Sequence, residues 1–195
     1  MTTGQENKQG LNRQDIMWIS VAAGLGTLIV GAAIVFFIHS AQYVLFYDNY
    51  YQIRIKYPKN WAVAKDLAGT IVTFVSPKDD ELDNFNENLN ISVSDLPSDI
   101  TTLEQFSKIA TGQVQAVFGS NIEVVQSEAI EFAGFPAYSY VMHSTQPPEL
   151  NLRFVWFFKD NKAYIITYAA QMLQYKKYLG TFNDMLRSFS IGVAK

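Results

Sequence analysis

A run of 23 residues without a single charge, Ile16 to Ile38 ("IMWISVAAGLGTLIVGAAIVFFI"), constrains this chain more than anything else in it. About 20 apolar helical residues cross the hydrocarbon core of a bilayer, so the run spans one with some tilt. A cleavable leader has an apolar stretch of only ~7–15 residues, and "FFIHSAQYV" offers no good small-x-small cleavage site. The expectation is a single uncleaved signal anchor over 16–38, seated in the lipid bilayer. Trp18 would lie near one interface, with Tyr43 and Tyr47 beyond the other.

The polar stretch 1–15 then reads as a disordered tail, 39–50 as a juxtamembrane linker and 51–191 as one folded domain. Charge does not set the orientation: Lys8 and Arg13 precede the run, and Arg54 and Lys56 follow it. Ser20, Gly24, Thr27 and Gly31 recur at spacings of four, three and four, with Ala23 widening the stripe. Small residues on one helical face let another membrane helix approach closely, so this face is expected to contact a partner helix.

Composition removes several function classes. The net charge is −3 and the longest basic cluster is Lys176-Lys177, so a phosphate-binding surface for nucleic acid is not expected. There is no cysteine, hence no disulfide, thiolate metal site or cysteine nucleophile.

Within the domain the period changes from helical to two. Tyr51, Ile53, Ile55 and Tyr57 alternate with polar residues, and strands are also expected at 62–65, 71–76 and 89–94. Thr101-Thr102-Leu103-Glu104 reads as a capping box opening a helix with the stripe Leu103, Phe106, Ala110, Val114 and Val117, ending by Gly119. Strands 122–132 and 135–142 meet across Ala133-Gly134, and 151–159 meets 162–170 across Asp160-Asn161. "FVWFF" and "YIIT" are apolar on both faces, which marks central strands. A last helix carries Tyr175, Tyr178, Leu179, Phe182, Met185, Leu186 and Phe189 on one side. The order predicts an α+β domain, an antiparallel sheet flanked by helices.

Catalytic constellations are not visible. The two histidines, His39 and His143, are far apart in sequence, and no Gly-rich phosphate loop occurs, so an enzyme is not expected. Asp79, Asp80, Glu81, Asp83 and Glu87 concentrate carboxylates in "KDDELDNFNEN". Hard cations use such ligands, but an EF-hand frame from Asp79 puts Asn84 where Gly is required and Asn90 where a bidentate Glu is required. Asp79, Asp80, Glu81 and Asp83 therefore stand as a weak calcium site at most, against a solvated loop or an electrostatic patch for a basic partner. No other cofactor is expected. Asn90-Ile91-Ser92 matches a glycosylation acceptor, read as a chance match inside a strand.

Tyr57-Pro58-x-x-Trp61, "TFVSP" (73–77), "NLNISVSDL" (88–96) and "TTLEQF" (101–106), in this order, resemble the PsbP-like superfamily, which includes Mog-like proteins. The resemblance covers about 47–191. It implies an antiparallel sheet between helices, in an α/β/α sandwich, with the Tyr-Pro-x-x-Trp turn closing a first hairpin. It also implies a non-catalytic accessory or assembly factor on a larger complex, whose other membrane-complex subunits are its partners. Membrane-linked relatives place the domain outside the cytoplasm, which implies a cell-membrane protein with a cytoplasmic N-terminus. The anchor and the lack of an import signal depart from the photosystem II member and fit a bacterial or archaeal relative. A stand-alone extracytoplasmic module binding a small molecule or divalent cation is the alternative.

Overall fold

Residues 42–192, apart from 68 and 82, are described by a computed structural model. The run 16–38, His39 and the small-residue face Ser20, Ala23, Gly24, Thr27 and Gly31 lie outside the described residues. Among the described residues no helix is long and apolar enough to cross a membrane.

The element order is β1 (Tyr43–Asp48), β2 (Ile53–Pro58), β3 (Ala62–Lys65), β4 (Val72–Val75), β5 (Asn88–Asp95), α1 (Leu103–Phe118), β6 (Ile122–Phe132), β7 (Phe135–Ser144), β8 (Leu150–Lys159), β9 (Lys162–Gln171), α2 (Tyr175–Ser188) and β10 (Ser190–Ile191). Seven strands form one sheet in the order β3-β4-β5-β9-β8-β7-β6, and β1-β2-β10 form a second, smaller sheet. Every pairing is antiparallel. Both expected two-residue hairpins are present. Ala133 (φ 52°) and Gly134 (φ 83°), like Asp160 (φ 52°) and Asn161 (φ 57°), hold the left-handed backbone that matches strand twist.

β8 and β9 sit next to each other inside the large sheet because their side chains serve two cores. On one face Val155, Phe157, Ile166 and Tyr168 join Phe74, Leu89 and Ile91 beneath α2 and the small sheet, which contributes Phe46, Ile53 and Ile55. On the other face Leu152, Phe154 and Trp156 pack under Phe106, Ala110, Val114 and Phe118 of α1. The buried Trp156 indole donates to Ser107 Oγ at 2.9 Å, and that hydroxyl donates to the Leu103 carbonyl at 2.7 Å. A polar atom inside the apolar layer is thereby satisfied.

Four expectations need correction. The segment 43–48, read as linker, is strand β1, paired with β2 along its whole length. Tyr43 and Tyr47 therefore belong to the domain: Tyr43 donates to Asp184 and Tyr47 to Gln52. Pro58 to Trp61 does not close a hairpin. It is a corner, with the Trp61 N–H on the Pro58 carbonyl at 2.9 Å, that carries the chain from the small sheet (β2) into the large one (β3). The capping box is one residue later than expected: Thr102 caps the Gln105 amide, and the Gln105 side chain caps Thr102. Val117 is 77% exposed, so the buried stripe of α1 ends on Phe118 instead.

Candidate interaction surface

The loop between β4 and β5 is built by its own acidic and amide side chains. Asp83 accepts the Asp79 N–H at 2.8 Å through Oδ2 and the Phe85 N–H at 3.1 Å through Oδ1. Asp83 N–H donates to Asp80 Oδ1 at 3.0 Å. Asn86 Nδ2 donates to the Ser76 carbonyl at 2.8 Å, and Asn88 Nδ2 to the Asn86 carbonyl at 3.0 Å. Short Asp and Asn side chains bond nearby backbone in this way and so specify the loop.

α2 holds the loop from beneath. Tyr178 donates its hydroxyl to Asp79 Oδ1 at 2.7 Å, and Lys177 pairs with Asp79 Oδ2. These two partners, Lys177 first, hold the Asp79 carboxyl below its ordinary range. The Tyr178 hydroxyl is pushed up, by burial first and then by Asp79. The Tyr178 ring meets Trp61 edge-on at 6.0 Å between centroids, so the corner residue Trp61 buttresses the side chain that anchors the loop.

Glu87, at the end of the loop, is only 1% exposed. Its Oε2 accepts from Ser76 Oγ at 3.3 Å, and its Oε1 is buried without a hydrogen-bond partner. Desolvation pushes this carboxyl up.

The four carboxylates read as a candidate cation site do not converge. Asp79 faces α2, and Asp83 spends its oxygens on backbone amides. Among the described residues no three His, Cys, Asp or Glu side chains are grouped to hold a metal ion. A hard cation needs six to eight oxygens free to turn inward, and here three of the four side chains, Asp79, Asp80 and Asp83, are committed to holding the loop together. His143 is half-buried on β7 beside Asn151 (Nδ1 to Oδ1 3.3 Å), and Asn90 lies on β5 between β4 and β9.

Two further loops meet this one. Gln171 Nε2 donates to Asn84 Oδ1 at 3.4 Å, and Met172 N–H to the Glu149 carbonyl at 3.0 Å. At their junction Leu173 is 92% exposed and Met172 48%. An apolar tip therefore stands beside an ordered loop carrying Asp80 and Glu81. Sequence reasoning missed Met172 and Leu173, because they fall between the strand expected at 162–170 and the helix stripe that begins at Tyr175.

A second feature lies along α1. An open groove of about 390 Å³ is lined by Ala110, Val114 and Phe118 of the helix and by Phe154, Trp156 and Ile165 of the sheet.

A family signature described as PsbP-like protein matches residues 38–191. No curated protein sequence matches the chain significantly. Among solved structures, the cyanobacterial PsbP protein CyanoP of Synechocystis is 17% identical, with a TM-score of 0.60 over 78% of this chain and 94% of that one. LpqN of Mycobacterium tuberculosis, a protein involved in cell envelope biogenesis, is 13% identical (TM-score 0.57, 78% of this chain, 91% of that one). The Ran-binding protein Mog1p of Saccharomyces cerevisiae is 10% identical (TM-score 0.56, 76% and 95%). At such identities the likeness carries the fold. The family match spans most of the chain and all of its described strands and helices, and this chain therefore belongs to the PsbP-like protein family.

Proposed function

We propose that this chain is a non-catalytic accessory subunit or assembly factor of a membrane protein complex. In this reading residues 16–38 anchor it as a single pass, the N-terminus faces the cytoplasm and the PsbP-like domain works outside it. The observation that carries the reading is the Met172–Leu173 tip beside the built acidic loop. A small apolar centre with a polar rim is the anatomy of a protein contact, and apolar anchors in such a setting dominate binding energy. Carboxylates at the rim favour a basic partner and speed its encounter. Any calcium held by Asp79, Asp80, Glu81 and Asp83 would be a weak accessory to this role.

The test is purification of the full-length chain from native membranes in mild detergent. A stoichiometric partner is expected, lost from Leu173→Asp and weakened when Gly24 and Gly31 are both replaced by Leu. A lone monomer from wild type would overturn the reading. Retention by the Gly24/Gly31 variant alone would reduce 16–38 to a tether.

The groove along α1 favours a second reading, a module that binds a small apolar molecule, since ligand pockets run ~300–1,000 Å³ with mostly apolar walls. Displacement of a fluorescent fatty-acid analogue, abolished in Val114→Arg, would support it over the first.

A further inference from the structure

The two edges of the large sheet are protected very differently. β3, at one edge, has four residues. β6, at the other, has eleven, about 37 Å at ~3.4 Å per residue. Glu123 to Ala129 are all exposed. Among the described residues, none of the backbone hydrogen bonds outside the ladders reaches the outer side of β6. An edge strand this long and open is a template for another strand, and proteins ordinarily shorten or cover it.

β6 has three glutamates, Glu123, Glu128 and Glu131, and no basic residue or proline. All three are exposed, and among the described residues none has an ion-pair partner. Arg187, which lines the hollow beside Glu131, is taken by Asp184. A slip in register at Val124/Gln126 twists the start of the strand, leaving its open stretch from Gln126 onward.

Charge decides which strand can add. In an antiparallel pairing of two copies, a register that sets Glu123 against Glu128 sets the reciprocal pair against each other too, and full overlap of the two edges brings six carboxylates to one seam. The same edge, with Glu128 on one face of the sheet and Glu131 on the other, attracts a strand bearing lysine or arginine. Repelling one partner while attracting another is how specificity is made.

We propose that the outer edge of β6 is a strand-addition site for an extended basic segment of a partner protein. The two-residue turn makes Phe132–Phe135 a hydrogen-bonded pair, so by alternation Ser127, Ala129 and Glu131 turn their amides and carbonyls outward. These groups supply the main-chain bonds, and Glu128 and Glu131 supply the selection for positive side chains. The site is separate from the Met172–Leu173 tip and does not rest on the role proposed for it.

The experiment uses the full-length chain in mild detergent and three fluorescein-labelled peptides: one of alternating Lys and Val, one of the same length and charge with central valines replaced by prolines, and one of alternating Glu and Val. Anisotropy is read at low salt, together with hydrogen exchange of the β6 amides. The alternating Lys peptide is expected to bind about tenfold tighter than the proline-interrupted one and to slow exchange at Ser127, Ala129 and Glu131. Glu128→Lys with Glu131→Lys should reverse the preference toward the Glu peptide, and Ala129→Pro, which removes one outward donor, should weaken the Lys peptide. Equal binding of the two basic peptides, no binding, or unchanged exchange along β6 would each overturn the proposal.

Discussion

Glu87 shows how different five neighbouring carboxylates can be. Four help build or rim a loop in water, while the fifth lies under it with one oxygen unpaired. Its carboxyl is raised in the folded protein, so between the unfolded value (~4.3) and the folded one the native state binds more protons than the unfolded chain. Stability therefore falls as pH rises through that window, and the penalty is complete at neutral pH. Glu87→Gln is expected to raise the melting temperature at pH 7, with the gain shrinking to nothing below about pH 4. Asp79 acts in the opposite sense: lowered by Lys177 and Tyr178, it contributes stability that is lost as pH falls through its folded value. Scanning calorimetry across the acid range checks both signs. The sequence showed that acid is concentrated here. It could not show which carboxylate is buried, because burial depends on Ser76 and on where β4 and β5 leave the sheet.

At the scale of elements, legibility followed periodicity. β8 and β9 were readable because both faces are apolar, and α2 because its stripe is complete. β1 was not, since "YVLFY" buries only Phe46 and begins a few residues after a run that looks like membrane. β10 is two residues long, below any periodic signal. The start of α1 was found with the cap one residue early, since Thr101 and Thr102 both fit the local rule and only tertiary placement chooses between them. That choice is testable. Thr102→Ala removes the side-chain acceptor of the Gln105 amide and should destabilise by about 1 kcal/mol. In a domain this size that lowers the melting temperature by ~2–4 °C. Thr101→Ala should change it far less.

For the whole molecule, the correction at β1 moves the working boundary. A chain starting at Gln42 keeps the β1–β2 pairing and the edge-on contact of Phe46 with Phe74 at 5.6 Å, and is expected to unfold in one cooperative transition as a soluble monomer. Starting at Tyr51 removes β1 and the buried Phe46, a loss on the order of 3–5 kcal/mol or more. Comparing the melting curves of the two fragments checks this. The small sheet also sets a timetable. β2 pairs with β10 at Arg54 and Ser190, and the Lys56 N–H donates to Ser188 Oγ at 2.8 Å. The 136 residues from Ile55 to Ser190 must be translated before this seam can close. At ~5–20 residues per second that is roughly 7–27 s. Throughout that interval the nascent β1–β2 ribbon, first of the domain to emerge from the ribosome, waits with Ile53 and Ile55 unprotected. Of the domain's strands, this first ribbon therefore keeps its apolar face exposed longest during synthesis.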